Sequence, residues 1–249
     1  VSTDEEMPPG IDFVNVVTKL REVRALTGFY RMTSGSGSDR PKCALSLHRK
    51  EWLPAIEVIG EGIFIKLDER AIGRWENLES VKSRVGKLSA GPRSDNLLEG
   101  LPAPSPRLIL IHTLAHLLME RWSLECGYST GALRERLYVS DDMAGLLIYT
   151  ATSDSQGSMG GVVGMAKDGR FLRSFRNALE NAAWCSNDPV CAERGPNGFG
   201  SLNQAACHSC ALLPETSCTL LNSLLDRSLV VSTEFGLTAF EALLAGPNN

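Results

Sequence analysis

Between residues 12 and 27 apolar side chains recur at Val14, Val17, Leu20, Val23 and Leu26, a spacing near three that predicts a helix with Lys19, Arg21 and Arg24 projecting from its sides. The Gly-Ser tract from Ser34 to Ser38 then reads as a flexible loop. Two strands are expected next, Ala44 to His48 and Glu57 to Leu67, the second with Ile63, Ile65 and Leu67 on one face of a period-two alternation. Residues 68–90 mix charges at helical spacing, and 91–106 carry four prolines, which predicts a mobile helix, a linker and a domain boundary near 105. From Arg107 to Leu124 the chain is apolar almost all round, as a helix can be only when buried on most sides. Ser129 is placed to cap a short helix running through Leu137, and Ala144 to Thr150 reads as a compact strand. Gly157 to Gly164 is a Gly-rich segment, and Phe171, Leu172, Phe175, Leu179 and Ala182 mark one more amphipathic helix, ending at Trp184. The expected class is α+β, a mixed sheet with packed helices, divided into regions 1–105 and 106–249.

Composition narrows the classes. A chain of 249 residues, 43% hydrophobic and 22% charged, can bury a sizeable core in one or two domains. Its net charge of -4 excludes a global basic field, so any nucleic-acid contact must be local. The concentrated positive stretch is Lys19 to Lys50, with eight basic residues against Glu22 and Asp39, a local net charge of +6. The apolar run Leu108 to Met119 is interrupted by His112, Thr113 and His116 and falls short of a spanning helix, so no membrane partner is expected. The N-terminus, Val1-Ser2-Thr3-Asp4, lacks Met and any signal pattern and reads as a cut from a longer chain. Five of the seven cysteines lie between 185 and 218, which suits a metal site in the reducing cytoplasm better than a secreted disulfide framework.

Those five, Cys185, Cys191, Cys207, Cys210 and Cys218, carry the strongest chemical signal. Zinc takes four thiolate or imidazole ligands at tetrahedral corners, and Cys207-His208-Ser209-Cys210 supplies two from one turn. Cys191 or Cys185, with Cys218, would close the site; His208 is a further competitor, and spacing alone leaves one cysteine over. Residues 185–206 hold few hydrophobics, so a metal would supply folding free energy there.

His112 and His116 are four apart and share a helical face. The general-base glutamate of a His-Glu-x-x-His protease is replaced by Thr113, which points to two core histidines hydrogen-bonded to backbone or a carboxylate. A second metal site with Glu125 or Asp154 is the sharper alternative. The Gly-rich segment after Ser153 ends in no Gly-Lys-Ser/Thr, so no phosphate loop is present. Arg134 and Arg136 read as a solvated helical face paired with Glu135 or Glu120, with phosphate contact as the sharper reading. No nucleophile elbow or Ser-His-Asp arrangement appears.

The blocks Lys19 to Phe29, Trp52 to Glu57, Gly60 to Phe64, His112 to Leu118, Glu125 to Ser129, and Ala206 to Cys210 running on through Cys218 to Arg227 resemble the C-terminal half of the DrmB family. DrmB proteins are helicase-associated subunits of the bacterial DISARM anti-phage system, and their C-terminal region is similar to the zinc-binding domain of Mrf-type (MrfA-like) helicases. The resemblance implies a zinc-binding, non-catalytic subunit working beside a superfamily 2 helicase (DrmA-like) that supplies the ATPase, with DNA contacted through the complex. It maps zinc ligands onto Cys207, Cys210 and Cys218, with Cys191, the nearer, or Cys185 as the fourth. Lys19, Arg21, Arg24 and Arg31 are the nucleic-acid candidates. The alternative function is a metal-dependent hydrolase or nuclease built on His112, His116 and Asp154.

Overall fold

The computed structural model describes residues 7–29, 43–89, 100–150 and 161–244. Among the described residues four strands form one sheet in the order β1-β2-β4-β3, with β1 Ile11–Ala25, β2 Ala55–Leu67, β3 Leu133–Ser140 and β4 Met143–Thr150. The class is α+β; every neighbouring pair is antiparallel, so the described sheet is not mixed. Eight helices accompany it among the described residues: α1 Glu69–Trp75, α2 Glu79–Ser89, α3 Pro106–Cys126, α4 Gly161–Gly164, α5 Arg170–Ala182, α6 Val190–Glu193, α7 Ser228–Val231 and α8 Thr238–Leu244.

The first departure from expectation is β1, a 15-residue strand where apolar spacing predicts a helix. Val14, Val16, Val17, Thr18 and Val23 are β-branched and stiff at χ1, which favours a pleated surface. The register with β2 shifts between Val17 and Leu20, and β1 forms an edge of the sheet. Beyond the shift one face is half-buried but carries the Glu22–Arg24 pair, and the exposed face carries Val23, so hydrophobicity does not alternate as it would in a strand read from sequence. The second departure is β3. Only Thr130–Ala132 makes a 3-10 turn; Leu133 onward pairs with β4 across the Asp141-Asp142 turn. Residues 44–48 contribute no strand, Cys43 making a single bridge to Phe29. The Ser34 to Ser38 tract and Gly157 to Gly160 lie outside the described residues.

Helix α3 organises the rest. Ser105 caps it by accepting from Leu108 N, Pro106 opens its first turn, and Gly127 closes it at φ 72°, a left-handed value glycine adopts without a Cβ penalty. Its 21 residues are buried on nearly every side because α3 packs on β3 and β4, on α5, and on α7. Arg107 anchors its start: the guanidinium pairs with Glu69 and Glu76, each at 2.9 Å, and donates to the carbonyl of Ser140 at 2.7 Å. One apolar core runs from Ile11 and Ile63 through Ile109 and Trp122 to Phe175 and Phe240, so residues on both sides of 105 share it. Each fully buried side chain of this size contributes about 1.5–3 kcal/mol. No helix among the described residues is long and apolar enough to cross a membrane.

Candidate metal centre

Helix α5 delivers the chain to Cys185, and Asp188 then fixes the loop that follows. Its carboxylate accepts from Cys185 N at 2.8 Å and from Ala192 N at 3.1 Å, bracketing α6, which carries Cys191. Arg227 pairs with the same carboxylate and donates to the carbonyl of Ala182 at 2.9 Å, tying the loop to the start of α7. On the other side, Cys207 to Cys210 forms a tight knuckle: the N–H groups of Cys210 and Ala211 reach Cys207 O at 3.1 and 3.0 Å.

These two segments bring Cys185, Cys191, Cys207 and Cys210 together, their sulfurs all within 4.8 Å of one another. The Sγ···Sγ separations are 3.5 Å for Cys185–Cys207, 3.8 Å for Cys191–Cys210 and 3.7 Å for Cys207–Cys210. A disulfide requires about 2.0 Å, so the thiols are free. A tetrahedron with metal–sulfur bonds of about 2.3 Å has sulfur–sulfur edges of about 3.8 Å, which these separations approach. Donors surround the sulfurs: Asn187 N and Nδ2 reach Cys185 Sγ and Cys207 Sγ, each at 3.4 Å, and Cys207 N reaches Cys210 Sγ at 3.3 Å. Burial works against a Cys207 thiolate, but Asn187, the Ser209 backbone and the neighbouring thiols outweigh it and bring this thiol down to about 6. Burial pushes Cys191 up to about 11. The four-thiol set thus fits a soft or borderline cation such as zinc.

Cys218 does not join this set, contrary to the expected ligand list. It lies with His112, His116 and Glu135 in a second buried group whose ligand atoms are also within 4.8 Å of one another. The reason is topological. Glu135 on β3 accepts from Thr219 N at 3.1 Å, and Ser217 donates to the carbonyl of Thr130, so the chain after the knuckle is pinned to β3 and over the histidine face of α3. His112 Nε2 is 3.2 Å from Cys218 Sγ and 3.2 Å from Glu135 Oε1; His116 Nε2 is 3.6 Å from Glu135 Oε2. The rings stand edge to face, centroids 4.5 Å apart. His112, His116 and Glu135 are essentially inaccessible to solvent. Burial disfavours the Glu135 carboxylate, yet the facing histidines hold it ionised, well below the ordinary range.

Sequence reasoning missed Glu135, treating it as a partner for surface arginines. The signal was available: in Leu133-Arg-Glu-Arg-Leu-Tyr-Val139, Glu135 shares the period-two face of Leu133, Leu137 and Val139. Glu125 instead pairs with Arg121 one turn away on α3, His208 is exposed outside both groups, and Asp154 lies outside the described residues. Of the nucleic-acid candidates, Lys19, Arg21 and Arg24 stand on β1 and Arg31 lies outside the described residues. Arg21 pairs with Glu57 at 2.5 Å and Arg24 with Glu22 at 2.6 Å. A groove of about 800 Å³ is lined by Glu76, Arg107, Arg136 and Ser140 but by none of the ligand candidates of either group.

Comparison with known proteins agrees with a metal-binding role for the four-thiol group. Residues 114–211 match the family described as the MrfA Zn-binding domain. The chain is 39% identical over 238 residues to the DISARM protein DrmB of Bacillus paralicheniformis, covering 92% of this chain and 42% of that relative. The chain therefore spans less than half the length of the curated relative it matches. The resemblance carried by the sequence blocks is thereby shown, and all four clustered cysteines fall inside the zinc-binding match.

Proposed function

We propose that this DrmB-like chain is a zinc-stabilised, non-catalytic subunit of a DISARM-type defence complex. Residues 106–249 form its zinc-binding part, and 1–105 supply the outer half of the sheet. The observation that carries the reading is the closed four-thiol group of Cys185, Cys191, Cys207 and Cys210. Four protein sulfurs leave no open coordination position, which is the mark of a structural rather than a catalytic zinc. The same burial argues against a hydrolase on His112 and His116, since substrate has no route to either ring.

Association with the superfamily 2 helicase subunit is supported by the solvated end of the β1–β2 ribbon. Val23, Leu26, Trp52, Leu53 and Ile56 are each more than half exposed there, a concentration of apolar and aromatic surface suited to a protein partner. DNA contact is assigned to Lys19, Arg21, Arg24 and Arg31 within the complex. Glu57 and Glu22 already neutralise two of these arginines, so phosphate must displace carboxylates and the DNA contribution is secondary. A cytoplasmic location is part of the same reading, and the free thiols, which suit a reducing compartment, support it.

The test is co-purification of the full-length protein with its helicase subunit, wild type beside Trp52→Ala/Leu53→Ala and Lys19→Ala/Arg21→Ala/Arg24→Ala, with DNA binding followed across a salt series. The apolar pair should weaken helicase association, and the basic triple should lower DNA affinity and flatten its salt dependence. Unchanged association in the first and unchanged DNA affinity in the second would each remove the corresponding role.

A further inference from the structure

The geometry points to a second structural zinc site, formed by His112 and His116 of α3, Glu135 of β3 and Cys218 of the loop beyond the knuckle. A carbonyl oxygen can only accept, so His112 Nδ1 must donate to Leu224 O at 3.2 Å and His116 Nδ1 to Ala211 O at 2.7 Å. When neutral, each ring therefore turns an unprotonated Nε2 toward the centre of the group. There it meets the Glu135 carboxylate, also an acceptor, and Cys218 Sγ, on which the N–H groups of Leu220 and Asn222 converge at 3.3 and 3.2 Å, as they would on a thiolate. Four lone-pair donors thus face one another in a site closed to water.

Two of them, His116 Nε2 and Glu135 Oε2, have no hydrogen-bond partner at all. Buried polar atoms are rarely left so. A proton on His112 would serve one contact and leave these two unserved, and one on His116 Nε2 would face Glu135 Oε2 only at 3.6 Å, beyond hydrogen-bond range. A cation at the centre serves all four at once. Metal–ligand bonds of about 2.0–2.3 Å at tetrahedral angles place the ligand atoms about 3.3–3.6 Å apart, close to the 3.2, 3.2 and 3.6 Å separations here. Two imidazoles, a carboxylate and a thiolate form a borderline donor set that zinc accepts, and the Nδ1–carbonyl bonds are the outer contacts that orient metal-binding histidines. With four protein ligands and full burial the site is structural. Its role is to clamp α3 to β3 and to the segment leaving the knuckle, and through Ala211, the neighbour of Cys210, it braces the four-thiol centre.

Metal analysis by mass spectrometry on the full-length protein tests this, together with zinc-edge X-ray absorption on the wild type. Two zinc ions per chain are expected, with an average shell of about 2.5 sulfurs and about 1.5 nitrogens or oxygens per zinc. Glu135→Gln and His116→Ala should each release one zinc and leave an all-sulfur shell; Cys207→Ser should release the other and leave a shell with one sulfur. One zinc in an all-sulfur shell, or two zincs retained by both Glu135→Gln and His116→Ala, overturns the inference. The wild-type absorption spectrum decides the matter even where a variant fails to fold. One zinc in a mixed shell would instead refute the four-thiol site and leave this one standing.

Discussion

Asp188 is the side chain on which the upstream half of the four-thiol centre depends, although its carboxylate touches no sulfur. It accepts from Cys185 N, Ala192 N and Arg227, and so aligns both Cys185 and Cys191. Asp188→Ala removes two backbone contacts and leaves Arg227, whose side chain is 4% exposed, without its counter-ion. Breaking a fully buried pair costs roughly 3–5 kcal/mol; Asp188 is 17% exposed, so screening lowers the expected loss to about 2–3 kcal/mol. Outer contacts of this kind typically govern about 10–100-fold in metal affinity, or about 1.4–2.7 kcal/mol. Zinc affinity measured against a chromogenic chelator, and urea unfolding at saturating zinc, separate the two effects. Asp188→Ala should weaken zinc by at least tenfold and lower the unfolding midpoint. Asp188→Asn, which keeps the shape but turns a donor toward one of the three N–H groups, should fall between. An Asp188→Ala protein with zinc affinity within twofold of wild type and an unchanged midpoint would refute the assignment.

Other outcomes follow from the packing. A Cβ on Gly60 would lie 1.5 Å from the carbonyl oxygen of Thr150 on the backbone, so Gly60→Ala should destabilise by about 3 kcal/mol or more or abolish soluble expression, read by thermal unfolding. Asp226→Ala should cost about 3–5 kcal/mol in chemical denaturation because Arg84, bound at 2.6 and 3.0 Å, loses its buried partner; Arg84→Met/Asp226→Leu should recover most of it. Burial, with Glu125 and Glu61, pushes the Cys126 thiol up to about 11. Alkylation of Cys126 at neutral pH should therefore be about 100-fold slower in the folded protein than after unfolding, as mass spectrometry of timed iodoacetamide quenches would show.

What the sequence determined by itself is what depends on short separations. The buried α3 was legible because an all-round apolar run of its length has no other soluble solution, and its caps, Ser105 and Gly127, are local. The Cys207–Cys210 knuckle is likewise a single turn, and β2 and β4 announced themselves by apolar patterning. Tertiary structure decided the rest. The outer half of β1 hides its strand character because its half-buried face carries the Glu22–Arg24 pair while Val23 faces water, and pairing with β2 overrides that pattern. The five cysteines could not be sorted by spacing, since Cys218, the nearest in sequence to the knuckle, is drawn away by contacts with β3 and α3, roughly 80 to 100 residues upstream. Glu135 acquires its meaning in the same way: β-sheet register turns it inward, and helical periodicity places two imidazoles opposite. Ligand sets are made where distant elements cross, and neighbour-to-neighbour preferences carry no information about where those crossings fall.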